Sequence, residues 1–377
     1  MTSENNLIKP TPIIQKLLKS QKFGLESYFE DQMENNRMIY LDKNENPFAP
    51  PIRLIDPTEI INYLRVYPDP NTSDFLKSLA LKLNIPSSYL LAGSGSDDLL
   101  DLIIRTYATK NTVILGVSPS FSMYGFYTKI NGAQYNIVPL ILKLNQKTGT
   151  AQYELDQSHF INKAKDSNII VLARPNNPDG TVFARDFIKK LLGLYKLVIV
   201  DEAYIDFSDI PSLIDIIQEY DNLIITRSFS KSYSLAGLRM GYLVANPRIV
   251  NVLTQVKSPF NVNTIALKFG TILINNQDGI MRNITKIKSI RKQFYEDLVA
   301  LREKYQKFYY HPSEANFVLL RGDSIEIMQL LYEDFLHSNI KVRKFKGQLA
   351  DCLRISIGTS SQMKKVIEII ELFLGGK

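Results

Sequence analysis

The sequence predicts an α/β fold: a large domain built on a mostly parallel sheet with flanking helices, followed by a smaller α+β C-terminal domain. Three observations carry this. The middle of the chain alternates short β-branched or aliphatic runs with longer amphipathic stretches, the pattern of buried parallel strands joined by helices. The tail opens instead on long, charge-rich helical periodicity and then interleaves short apolar runs with helices. Finally, 377 residues that are 45% hydrophobic and 22% charged suit a globular chain of two or three domains and exclude a disordered, collagen-like or coiled-coil protein.

The elements follow in order. The first 50 or so residues are poor in helix signals and rich in proline (Pro10, Pro12, Pro47, Pro50, Pro51), and residues 1–50 read as an N-terminal arm or part of the small domain, wrapped around it or around a partner chain. Residues 51–265 form the large domain. Its strand candidates are Thr112–Val117, Ile169–Ala173, Leu197–Val200, Leu223–Thr226 and Gly241–Val244, with helices such as Asp97–Ala108 and Ala184–Tyr195 between them. Residues 266–377 form the small domain, set off by the turn at Pro259. There, helical periodicity from Ala266 to Tyr305 precedes strands at Ala315–Leu320, Lys341–Phe345 and Leu353–Ile357 and helices at Ser324–His337 and Ser360–Leu374.

Composition narrows the chemistry. Lys and Arg total 45 against 38 Asp and Glu, a net charge of +7 that suits a phosphorylated small molecule as well as a nucleic acid. The single cysteine, Cys352, excludes an internal disulfide and a Cys-based zinc site. The three scattered histidines, His159, His311 and His337, argue against a metal centre and against a Ser-His-Asp hydrolase. No metal is expected, and the compartment expected is the cytoplasm. No apolar run approaches the roughly 18 residues of a membrane span, and the polar start MTSENNLIKP does not read as a secretory signal.

Six segments carry candidate chemistry. Ser228–Tyr242 places Lys231 among hydroxyls with Arg239 further along. A lysine amine can form a Schiff base with an aldehyde, and hydroxyls with a guanidinium suit phosphate oxygens. Alone, the stretch reads equally as a surface lysine in a serine-rich turn. Asp201 ends a buried strand, pointing into the crevice where α/β sheets bind ligands, with Tyr204 just beyond it. A carboxylate there can hold a protonated pyridine nitrogen; it can also be a helix cap. Arg174–Gly180 is a rigid Asn-Asn-Pro turn in which Asn177 can reach a ring oxygen. Gly93–Asp98 opens a helix whose free N–H groups suit an anion, although the stretch is neither a P-loop nor GxGxxG. Phe121, in Ser118–Tyr124, can stack on a flat ring or fill the core. Arg343 and Arg354 lie on separate strand candidates and can clamp a dianion together or lie on the surface apart. The conjunction outweighs its members, because the segments of the large domain line up after strands and outline one pocket for a phosphorylated pyridine aldehyde.

On these residues, together with Leu41–Phe48, Tyr67–Pro70, Ser258–Asn263, Pro312–Phe317 and Leu353–Gly358, the chain resembles the fold-type-I pyridoxal-phosphate aminotransferases over almost its full length, and more narrowly the histidinol-phosphate aminotransferase family. The resemblance implies pyridoxal 5'-phosphate as cofactor, a homodimer, and a ping-pong transfer between L-histidinol phosphate and 2-oxoglutarate through Lys231. It implies that Asp201 pairs with the ring nitrogen, that Tyr204 and Asn177 hold the ring oxygen, and that Phe121 stacks on the ring. Ser96, Asp97, Ser228, Ser230 and Arg239 would hold the phosphate, Tyr67 would reach the cofactor phosphate of the other subunit, and Arg343 and Arg354, with Asn177, would meet the substrate.

Departures from the family pattern fall at Asp179 (usually Thr), Asp98 (usually Glu), Ser94 (usually Asn) and Val66 (usually Arg), and Tyr28 stands in for a missing Pro-Tyr pair that covers the substrate. They spare the cofactor residues. They leave two alternatives to the first reading: an aromatic or other amino-acid transaminase, or a threonine-phosphate decarboxylase, on the same fold. A basic α/β protein that binds nucleic acid without a covalent cofactor is the reading from outside this class.

Overall fold

The computed structural model describes residues 10–20, 38–52 and 57–376; Tyr28 lies outside the described residues. In chain order the strands of the first half are β1 (Ile39–Leu41), β2 (Leu90–Gly93), β3 (Val113–Ser118), β4 (Gln134–Pro139), β5 (Ile141–Asn145), β6 (Thr150–Glu154) and β7 (Ile169–Ala173). Those of the second half are β8 (Leu197–Asp201), β9 (Leu223–Ser228), β10 (Gly241–Ala245), β11 (Phe308–His311), β12 (Phe317–Gly322), β13 (Ile340–Lys344) and β14 (Cys352–Ser356). They form two seven-stranded sheets.

The large sheet runs β2-β10-β9-β8-β7-β3-β4. From β4 to β9 all neighbours are parallel, while β10 is antiparallel to both β9 and β2. This arrangement positions the site. The parallel strands all end on one edge, and the antiparallel β10 begins there, with Gly241 opposite both Ser228 and Gly93. The segments after β2, β3, β7, β8 and β9 therefore emerge side by side, where an α/β sheet binds its ligand. Its central strands β7 and β8 are almost wholly apolar and buried because helices cover the sheet; Leu99, Leu100, Leu102, Ile103 and Ile104 of the helix Gly95–Tyr107 are all buried.

The second sheet runs β1-β13-β14-β12-β11-β6-β5. Two of its contributors come from far away in the chain. The arm adds β1 in parallel to β13, Ile39 opposite Ile340. The hairpin β5–β6 leaves the middle of the chain and meets β11 at Thr150 and Tyr310. The expected strands of both domains are present with ends moved by a residue or two. The long periodicity of the tail resolves into two helices, Thr264–Asn275 and Gln277–Tyr305, parted at Asn276. Asn276 has non-helical backbone angles (φ −124°, ψ 66°). Among the described residues no helix is long and apolar enough to cross a membrane.

Candidate active site

Asp201 closes β8 and is buried. Its Oδ2 accepts a hydrogen bond from Tyr124 Oη (2.9 Å), and its Oδ1 accepts from Thr226 Oγ1 (3.2 Å) and from the Ala203 N–H (3.1 Å). Burial pushes its carboxyl up to about 6 against the pull of those hydrogen bonds. A carboxylate held this way gains from a cation placed against it. Tyr204 is buried too. Its hydroxyl accepts from Asn44 Nδ2 (3.0 Å), and its ring meets Phe317 edge-on at 5.1 Å.

Lys231 follows β9 on the same edge, and its ammonium lies 5.8 Å from the centre of the Tyr204 ring. Nζ donates to the carbonyl of Lys43 (2.8 Å). Burial above all, with the Arg354 charge next, brings its pKa down to about 8. More of the neutral amine is then present near pH 7 than in an ordinary lysine, which a nucleophile or base requires.

An anion cradle lies beside it. The helix Gly95–Tyr107 begins with Gly95 at φ +85°, where a Cβ would stand 2.7 Å from Arg239 Nη2. Glycine is thus needed twice, for its backbone and for the approach of the guanidinium. Gly241 allows a second close approach, since a Cβ there would stand 2.8 Å from the backbone of Gly95 and Ser96. Arg239 donates to Ser230 Oγ (3.2 Å) and grips the Asp97 carboxylate (3.2 Å), while the Ser230 N–H donates to Ser228 Oγ (3.1 Å). Ser96, Asp97, Ser228, Ser230 and Arg239 are brought together as the sequence reading expects. Asp98, at a departure position, caps the same turn by accepting from the Ser94 N–H (2.9 Å).

The second sheet faces this cradle with arginines. Arg354 donates Nη1 to Asn177 Oδ1 (2.5 Å) and Nη2 to the Asp42 carbonyl (2.7 Å). Arg343 is directly opposite Arg354 across the antiparallel pair β13–β14, so both side chains leave the same face of the sheet. Asn177 stands between the two halves. Phe121 is half-buried at the mouth of β3, edge-on to Tyr124 at 5.5 Å.

Tyr67 does not join the others. It is 82% exposed and stacks on Phe260 at 4.6 Å. The sequence reading also missed several residues that the site uses. Asn44, Asn46 and the carbonyls of Asp42 and Lys43 come from the arm, and Tyr124 and Thr226 hold Asp201. The two asparagines flanking Glu45 before Pro47 were a signal for the first group, and Tyr124, so close after Phe121, was one for the second. The donor set suits a phosphorylated pyridine aldehyde. It combines hydroxyls, a guanidinium and a helix start for the phosphate, a buried carboxylate for a ring cation, and an amine of lowered basicity for the aldehyde.

The model of the family described as aminotransferase class I and II matches residues 36–370. A Flavobacterium johnsoniae protein named histidinol-phosphate aminotransferase is 34% identical over 348 residues, 91% of this chain and 92% of its own. A Pyrococcus furiosus protein of the same name is 31% identical over 347 residues, 91% of this chain and 94% of its own. Among solved structures, histidinol-phosphate aminotransferase from Sinorhizobium meliloti, in complex with pyridoxal-5'-phosphate, has a TM-score of 0.78 at 19% identity and covers 99% of each chain.

Proposed function

This chain belongs to the family of class I and II aminotransferases, and on that premise we propose that it uses pyridoxal 5'-phosphate to move the amino group of L-histidinol phosphate to 2-oxoglutarate, yielding imidazole acetol phosphate and L-glutamate. The observation that carries the substrate is the pair Arg343 and Arg354, in register on one sheet, with the Arg354 charge acting on the amine of Lys231 on the other. Two guanidiniums suit a dianionic phosphate on the donor.

When bound, the cofactor supplies an aldehyde for the incoming amine and a protonated ring that takes up the electron pair left at Cα. Lys231 would hold the aldehyde, and its Nζ is placed to take the proton from the donor's Cα. Asp201 would keep a proton on the ring nitrogen, and the hydrogen bonds from Tyr124 and Thr226 keep Asp201 in place for it. Tyr204 and Asn177 would hold the ring oxygen, and Phe121 would cover the ring. Ser228, Ser230, Arg239 and the N–H groups of Ser96 and Asp97 would hold the phosphate. Tyr67, exposed in the single chain, would reach the cofactor phosphate of a second copy in a homodimer.

The test is a single half-reaction on the purified, cofactor-loaded protein. Added L-histidinol phosphate, without acceptor, should bleach the cofactor's visible band, and 2-oxoglutarate should restore it. Lys231→Ala should still bind cofactor and lose at least about 10⁴-fold in turnover. A coloured protein indifferent to histidinol phosphate would move the donor elsewhere or point to decarboxylation. A protein that takes up no cofactor would end the proposal.

A further inference from the structure

The peptide that joins Lys231 to Ser232 is held from two sides. From the arm, Asn46 Nδ2 donates to the Lys231 carbonyl (3.0 Å) and reaches the Ser232 carbonyl (3.4 Å). From beneath, the fully buried Ser232 donates its hydroxyl to Asp206 Oδ2 (2.5 Å). Asp206 in turn pairs with Arg227, whose Nη1 lies 3.4 Å from Glu202 Oε2. Glu202 is itself locked by Arg174 (3.2 Å) and by the Leu213 N–H (3.0 Å). Burial alone would raise the Asp206 carboxyl, but Arg227 and the Ser232 hydroxyl outweigh it and hold the group below the ordinary carboxylate range. It is a charged acceptor on a rigid base.

Asp206 also shares one short segment with Asp201 and Tyr204. Successive members of that segment thus face the ring-nitrogen position, the ring-oxygen position and the backbone under the reactive amine. We infer that Asp206 is a positioning residue: through Ser232 it fixes the backbone from which Lys231 reaches into the site. The inference rests on the role given to Lys231 above. Asp206 touches no reacting atom. Its effect is to keep Nζ at the Lys43 carbonyl, where desolvation depresses its basicity. The charges that face Lys231 directly are Arg354, Asp97, Glu45 and Arg239, and a change at Ser232 alters none of them.

Ser232→Ala and Asp206→Asn, singly and together, test this in two ways. In the full-length chain freed of cofactor, the pH dependence of Lys231 acetylation by acetic anhydride reports the basicity of the amine. Its midpoint should rise by about 0.5 pH unit in each single variant as the amine gains access to water. In the loaded enzyme, kcat should fall about tenfold with KM within about twofold, the order of one charge-assisted hydrogen bond. The double variant should be no worse than the worse single one, because Ser232→Ala removes and Asp206→Asn weakens the same charge-assisted contact. Ser232→Thr should restore both readouts. A labelling midpoint and kcat that stay at wild-type values in Ser232→Ala would overturn the inference, even if its unfolding midpoint falls. So would losses that multiply in the double variant. Should Asp206→Asn fail to fold, Ser232→Ala and its Thr counterpart decide the matter. The labelling arm needs no cofactor, so it separates failure of this inference from failure of the functional reading.

Discussion

At the edge of the large sheet, Asp201 accepts hydrogen bonds from Tyr124, Thr226 and Ala203, all within the same sheet and its connections. Across from it, Arg354 of the second sheet is held by Asn177 and by the Asp42 carbonyl, 177 and 312 residues away in sequence. The cradle is assembled by its own strands. The arginine face depends on the arm and on the Asn-Asn-Pro turn, which belong to other parts of the fold. The arm also meets Lys231 and Tyr204, whereas Asp201 and the anion cradle stand apart from it, so Asp201 and Arg354 are the positions at which the two faces can be told apart.

Substitutions on each side should therefore have separable effects. The largest belongs to the cradle. Asp201→Ala should lower kcat by about 10³-fold and weaken cofactor binding, since it removes the charge opposite the ring cation and leaves the Tyr124 and Thr226 hydroxyls without their acceptor. Steady-state kinetics with cofactor titration check it, and an unchanged kcat would remove Asp201 from the chemistry. On the other face, Arg354→Ala should raise KM for the phosphorylated donor by about 10²-fold while the bound cofactor keeps its absorbance. Equal losses of colour and of donor affinity would show that Arg354 braces Asn177 against the arm, and the two faces would not be separable.

The same contrast explains what the sequence reveals. The large sheet is legible because each of its motifs is local: a β-branched run, then a turn carrying one reactive residue, with the chain direction placing every such turn on one edge. Lys231, Asp201, Asn177, Ser228 and Arg239 could be placed on that edge for that reason. Asn44 could not, because its use depends on φ +54° and on a hydroxyl 160 residues away. The hairpin β5–β6 escaped notice for a related reason: most of its residues are exposed, so it lacks the apolar run that marks a buried strand. Arg343 and Arg354 read as strand residues, yet their register emerges only when β13 and β14 pair.

Where the two faces meet, Asp179 gives the smallest effect and the one most dependent on pH. It lies two residues beyond Asn177, is 0% exposed, and accepts from Asn176 Nδ2 (2.6 Å), while its Oδ2 has no hydrogen-bond partner among the described residues. Asn176 also donates to the Pro119 carbonyl (3.0 Å) and accepts from Ser120 (2.7 Å), so it ties this turn to the loop that carries Phe121. Burial, opposed by hydrogen bonds from Thr181 and Asn176, moves the Asp179 carboxyl from 3.8 up to about 6. A folded-state pKa above the unfolded one means that the protonated form favours folding. That contribution is fully present below about pH 4 and is lost as pH rises through about 6. Asp179→Asn keeps an acceptor for Asn176 and carries no charge. At pH 8 it should be more stable than the wild type by roughly 1–3 kcal/mol. The gap should close as pH falls toward 4. Asp201 titrates in the same direction but is present in both proteins, so it cancels from the difference. Urea unfolding of both proteins at pH 8 and pH 5, with cofactor saturating in each, measures it. A gap that widens on acidification would mean that the ionised carboxylate is what holds the turn, and that the junction between the faces is built on charge.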